Sequence, residues 1–235
     1  MDLTDATRAV TPTLDGPVLA VLAQSGRPLT VGEVAARAAR GSEIGVRRAL
    51  ARLVEQGIVR ATEMGRNRVH ELNRDHVAAP VAELFAGLRL ELWKRLRETF
   101  AGWEPQPLHA AVFGSAARGD GGPESDIDLL LVRPPVPGDA VGRSPTLVGK
   151  MTALPAALAV KPLTDPEAEA WRRQIDYLHE HVRSWTGNPV QVVEISISQW
   201  VDRAGNAQFF LEVDRDGIVL MDGLTNLSLG PTRTP

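Results

Sequence analysis

The stretch Phe113–Val132, FGSAARGDGGPESDIDLLLV, constrains the fold more than any other part of the chain. Asp126 and Asp128 stand one residue apart at the head of an apolar run, which predicts the start of a buried strand. Side chains on a strand alternate faces, so the two acids point the same way while Ile127 and Leu129 point into the core. Upstream, LHAAVF reads as another buried strand and ends on Gly114-Ser115. A glycine there allows close approach to the backbone, and a helix starting at that point leaves amide donors unpaired. Those amides and the Ser115 hydroxyl would form a cradle for a phosphate. Two like charges on one face repel unless one protonates or a cation sits between them. A hard divalent ion with oxygen ligands, Mg²⁺ before Mn²⁺, answers that need. A phosphate cradle beside a dicarboxylate metal site points to phosphoryl or nucleotidyl transfer.

The rest of the chain narrows the setting. Its 235 residues leave room for two domains. A composition of 43% hydrophobic and 23% charged residues is that of a globular protein able to form a core. No apolar run is long enough to span a membrane. The opening MDLTDATRAV is polar and acidic, unlike a secretory leader. Cysteine is absent, which excludes disulfides and thiolate metal sites. A cytoplasmic location is the expectation. The net charge of −3 gives no global sign of nucleic-acid binding, so any basic surface must be local.

Such a surface is predicted near the N-terminus. Residues 15–24 read as a short helix with Asp15 as its cap. Thr30 and Glu33 have the spacing of a capping box for a second helix. A third follows, with Ile44, Val46, Leu50, Leu53 and Val54 on one face and Gly57 as its stop. Two strand-like runs then flank a Gly-Arg-Asn turn. Helix, helix, longer helix and basic-tipped hairpin resemble a winged helix-turn-helix over about residues 14–74. From Arg37 to Arg68 there are eight Arg against three Glu. The resemblance implies that Arg47, Arg48 and Arg52 on the third helix and Arg66 and Arg68 at the wing meet DNA phosphates. Winged helices also dimerise or dock proteins, and Arg-rich faces are often merely solvated, so that alternative stays open. A homodimer is the default for such a module.

A further helix is predicted over residues 80–102, with Leu84, Phe85, Leu88, Leu92 and Leu96 as its apolar face. WEPQP then marks a boundary. The expected organisation is a winged helix-turn-helix domain at 1–75, a linking helix at 76–103, a catalytic domain at 104–223 and a tail at 224–235. The fold class is α+β, with a mixed sheet flanked by helices in the second domain.

GSAARGDGGPESDIDLLLV closely resembles the signature of the DNA polymerase β-like nucleotidyltransferase superfamily, especially its minimal branch. The resemblance implies that Gly114 and Ser115 bind a nucleoside triphosphate and that Asp126 and Asp128 bind Mg²⁺. Ser125 is taken with the nucleotide-binding group, and Arg118, in the loop after Gly-Ser, is a phosphate candidate, with an ordinary surface arginine as the open alternative. The superfamily normally adds a third carboxylate from a later, adjacent strand. The candidate strand is NPVQVVEISIS, on which Glu194 is the only acid and Gln191 stands where relatives often carry Asp. Gln191 and Glu194 face opposite ways. Glu194 as third metal ligand and catalytic base completes the site; if Gln191's face is the active one, the third acid is missing.

The resemblance further implies transfer of NMP, most simply AMP from ATP, to a hydroxyl on protein or RNA, in the setting of a toxin–antitoxin or defence module. The rival is a DNA-binding regulator whose nucleotidyltransferase domain only senses a nucleotide. Residues 134–163 have no period and many Pro and Gly, as a long functional or inert loop would. Trp171, Trp185 and Trp200 are expected in the core or at an interface.

Overall fold

The computed structural model describes residues 1–136, 161–201 and 203–224. The chain divides into two compact units, Met1–Leu92 and Trp93–Pro235.

In the first unit a 3-10 turn, Ala6–Ala9, precedes three helices: α1 (Asp15–Gln24), α2 (Val31–Arg37) and α3 (Glu43–Glu55). Strands β1 (Leu29–Thr30), β2 (Val59–Met64) and β3 (Asn67–Leu72) form an antiparallel sheet in the order β1-β3-β2. The Thr30–Glu33 pattern forms its capping box. Thr30 Oγ1 accepts from the Glu33 amide at 3.3 Å, and the Thr30 amide donates to Glu33 Oε2 at 2.8 Å. Arg27 and those Thr30 bonds hold the Glu33 carboxyl down at about 2. Val18, Leu22, Leu29, Val34, Val46 and Leu50 fill the core between helices and sheet.

Three local expectations shift. Asp15 is the first helical residue rather than the cap, and its carboxylate takes the Thr13 hydroxyl and pairs with Arg52. Ile44 is 65% exposed, and the buried stripe of α3 is Val46, Ala49, Leu50 and Leu53. Gly57 does supply the stop, at φ 78°. In α4 (Ala79–Ala101), Leu84 is 69% exposed. The small side chains Ala79 and Ala82 join the first core instead, where the helix can approach closely. Later in α4, Trp93, Leu96 and Phe100 are buried.

The second unit is built on a four-stranded sheet of β4 (His109–Phe113), β5 (Ile127–Arg133), β6 (Val190–Ser196) and β7 (Ile218–Asp222). Its order is β6-β5-β4-β7, with β5 and β6 parallel and the other pairs antiparallel. The helices are α5 (Gly114–Arg118), α6 (Asp165–Thr186), α7 (Ile197–Val201) and α8 (Ala207–Asp216). α6 opens on a Thr164–Glu167 capping box and stops at Gly187, whose φ is 76°. Leu130 and Val132 pack with Ile195, Trp200, Phe210 and Val213 on one side of the sheet. Strand alternation puts Asp128 on that side and Leu129 and Leu131 on the other. Trp171 and Trp200 are buried and Trp185 is half-buried. Residues 137–160, most of the predicted long loop, and 225–235 of the tail predicted from 224 lie outside the described residues; Leu224 itself is buried in the core.

Candidate active site

β4 ends at Phe113, and the chain turns through Gly114 into the one-turn helix α5. Gly114 has φ 65°, and a Cβ placed on it would stand 2.4 Å from Asp128 Oδ2. The glycine is therefore required twice, by the left-handed backbone and by a carboxylate resting on its Cα. The sequence suggested room for a ligand at this position; the space is taken by Asp128. Gly119, with φ 77°, ends α5 and donates to Ser115 O at 2.9 Å. The loop then doubles back. Gly121 lies against Ser115 Oγ, and the Gly122 amide donates to Ser125 Oγ at 3.0 Å. Gly114, Ser115, Ser125, Asp126 and Asp128 thus belong to one connected turn.

β5 starts at Ile127, directly after Asp126. Asp128 is paired with Phe113 on one side and with Gln191 on the other. Asp126 is exposed and Asp128 is half-buried. Burial pushes the Asp128 carboxyl above its ordinary value; the Asp126 charge adds to the rise and Arg118 opposes it. Arg118 Nε donates to Asp120 Oδ2 at 3.0 Å, and its Nη1 stands 3.8 Å from Asp216 Oδ2. The guanidinium is held at the site's edge by two carboxylates that sequence reasoning did not single out.

Glu194 is not brought to the aspartates. It is the register partner of Leu131, on the opposite face from Asp128. Its Oε2 accepts from Trp171 Nε1 on α6 at 2.6 Å. Gln191, the partner of Asp128, shares the aspartate face. The expectation that Glu194 completes the acidic cluster is corrected by this register. Among the described residues no group of three or more His, Cys, Asp or Glu side chains is placed to hold a metal. Two neighbouring carboxylates, one of them half-buried and short of compensating charge, do fit a hard cation. Mg²⁺ is commonly held by one or two carboxylates, with water and substrate phosphates supplying the rest.

Residues 91–197 match the nucleotidyltransferase domain family. The matched span, a little under half of the chain, runs from α4 through Gly114-Ser115 and Asp126-x-Asp128 to the end of β6, and so includes β4, β5 and β6. A nucleotide substrate and nucleotidyl transfer follow from it at the level of the domain. No curated protein matches the chain significantly. Among solved structures, human N-acetylserotonin methyltransferase in complex with SAM is similar at 17% identity over 43% of this chain, with a TM-score of 0.26. The chain spans 30% of that structure's length.

Missed by sequence reasoning was Asn188. It is fully buried, and its Nδ2 donates to Gly122 O, Pro123 O and Ser125 O at 3.3, 3.2 and 3.0 Å. A single asparagine between a helix stop and a strand carries no periodic signal, so only its position after Gly187 hinted at it.

In the first unit the five arginines singled out are exposed. Arg47 pairs with Glu43 at 2.9 Å one turn earlier, and Arg52 pairs with Asp15. Arg66 and Arg68 lie at the β2–β3 turn and the start of β3. No helix among the described residues is long and apolar enough to cross a membrane.

Proposed function

We propose that the second unit is a metal-dependent nucleotidyltransferase that moves NMP, AMP from ATP in the simplest case, to a hydroxyl on a protein or RNA acceptor. The observation that carries this reading is the Asp126-x-Asp128 pair, with Asp128 held against Gly114, within a span that matches the nucleotidyltransferase domain. Asp126 and Asp128 would hold Mg²⁺ or Mn²⁺, which supplies neutralisation of phosphate charge when bound. Ser115 and Ser125 offer hydroxyls to the triphosphate, and the amides about Gly114 offer further donors. Arg118, whose charge acts on Asp128, would exchange its Asp120 contact for a phosphate oxygen. The acceptor oxygen forms a bond to the α-phosphorus as the bond to the pyrophosphate oxygen breaks, and the hydroxyl proton leaves to solvent.

The first unit is read as a winged helix-turn-helix that binds DNA through Arg47, Arg48, Arg52, Arg66 and Arg68. An operon of the toxin–antitoxin or defence type would suit a DNA-binding module joined to a transferase, and a homodimer would suit its operator.

A second reading is favoured by one observation. Gln191, a neutral side chain, is the register partner of Asp128. With two acids on that face instead of three, the domain would bind the nucleotide as a signal for a DNA-binding regulator. Label from [α-³²P]NTP, offered with Mg²⁺ or Mn²⁺ to the protein and to cell-extract protein and RNA, separates the two. Label on an acceptor that vanishes in Asp126→Ala and Asp128→Ala supports transfer. Nucleotide binding without label, combined with label gained in Gln191→Glu, supports the sensor.

A further inference from the structure

The geometry points to Asn188 as the positioning residue for Asp126, an assignment that rests on the metal-binding role proposed above. Asp126 stands between two anchors from the same short segment. On its N-terminal side, Asn188 Nδ2 bonds the carbonyls of Gly122, Pro123 and Ser125. On its C-terminal side, the Ile127 amide donates to Pro189 O at 2.9 Å. Asp126 itself is exposed and has not yet entered the strand. Its backbone is therefore placed by what residues 188 and 189 hold on either side.

The anchor is itself fixed. The Asn188 amide donates to Thr186 Oγ1 at 3.0 Å, and the Thr186 hydroxyl donates to Val182 O at 2.7 Å inside α6. A single amide nitrogen has two hydrogens, so three carbonyls share them. No other residue type offers that donor at this reach. Aspartate would set an oxygen against three carbonyl oxygens, and alanine would leave all three without the bond. The loop carbonyls are 63 to 66 positions away in sequence, so this is a tertiary clamp and not part of the turn's own geometry.

The Asn188 bonds to the Gly122, Pro123 and Ser125 carbonyls act on Asp126 through the backbone that carries it. The test uses the full chain as wild type, Asn188→Ala, Asp126→Ala and the double variant. Mn²⁺ affinity is read by electron paramagnetic resonance, folding by tryptophan fluorescence, and loop order by amide hydrogen exchange. Asn188→Ala is expected to weaken Mn²⁺ binding by about 10- to 100-fold, as loss of a group orienting a metal ligand does. The double variant is expected to bind no more weakly than Asp126→Ala, since the two act as one unit. The Gly122, Ser125 and Ile127 amides exchange faster in Asn188→Ala while those of β4 do not.

Unchanged Mn²⁺ affinity in Asn188→Ala overturns the assignment. So do losses that multiply in the double variant, which mark a general structural effect. If Asn188→Ala does not fold, Asn188→Ser, with a donor too short to reach, is read in its place. Should the wild type bind no Mn²⁺, the metal reading fails by itself. Exchange then decides: unchanged protection of Gly122 and Ser125 in Asn188→Ala removes the clamp as well.

Discussion

Gly114→Ala measures how tightly the turn and the acid are joined. Alanine at φ 65° must hold a left-handed backbone, which costs about 1–2 kcal/mol. Its Cβ would lie 2.4 Å from Asp128 Oδ2, about 1 Å inside ordinary contact. Moving a carboxylate oxygen that far turns the short side chain by roughly 25°, near the ~30° distortion that costs about 0.5–1.5 kcal/mol. Loss of glycine's freedom in the unfolded chain returns about 0.4–1 kcal/mol. The net expectation is about 0.5–3 kcal/mol of destabilisation, and part of it must disappear when Asp128 is cut back. All five tryptophans fall in Trp93–Pro235, so urea unfolding followed by their fluorescence reports on this unit without the other. Four chains are compared: wild type, Gly114→Ala, Asp128→Ala and the double variant. Coupling of about 0.5–1.5 kcal/mol, the steric part, is expected between the two positions. A Gly114→Ala cost that is the same with and without the Asp128 carboxylate would refute the contact.

Other outcomes follow from the same structure. Burial pushes His109 below its ordinary value, against the opposing pull of Asp222 3.5 Å away. The folded state then resists protonation, so stability is complete above about pH 6.5 and is lost progressively below it. His109→Phe should flatten the urea-midpoint slope below that pH, and a slope that persists assigns it elsewhere. Glu194→Gln keeps an acceptor for Trp171, so stability should stay within ~0.5 kcal/mol and label transfer should be unchanged. Glu194→Ala should cost about 1 kcal/mol; loss of label in the Gln variant would return Glu194 to catalysis. Arg66→Ala and Arg68→Ala should each lower the slope of log affinity for duplex DNA against log salt by about 1. No change in slope would take the β2–β3 turn out of any DNA contact.

What could be read from the sequence was what local periodicity controls. The placement of Asp126 and Asp128 needed only the two-residue period of a strand and the apolar run behind it. Gly114-Ser115 was legible as a turn because the strand pattern ends there. The Thr30–Glu33 box and the Gly57 and Gly187 stops depend on neighbours within one helical turn, and they hold. Glu194 was misjudged because strand register is a tertiary fact. The parallel pairing begins where Ile127 meets Pro189, and nothing within β6 announces whether residue 191 or 194 will meet Asp128. Leu84 was misjudged for a related reason, although Leu92 and Leu96 of the same expected face are buried. α4 carries more apolar side chains than one core face accepts, and the choice of Ala79 and Ala82 over Leu84 is made by its packing partner. Asn188 was invisible because its role lies wholly in three carbonyls far along the chain.

That distance also sets an order of assembly during synthesis. Gly114, Ser115 and both aspartates leave the ribosome within one short stretch, and β4 and β5 can pair as soon as they emerge. Asn188 is 63 positions behind Ser125. At the usual pace of translation, ~5–20 residues per second, the interval lasts on the order of 3–12 s. Throughout it the nascent chain carries both acids, while the carbonyls of Gly122, Pro123 and Ser125 still await their donor. The chain thus acquires its acidic pair early and its finished loop only once α6 and the first residues of β6 have been made.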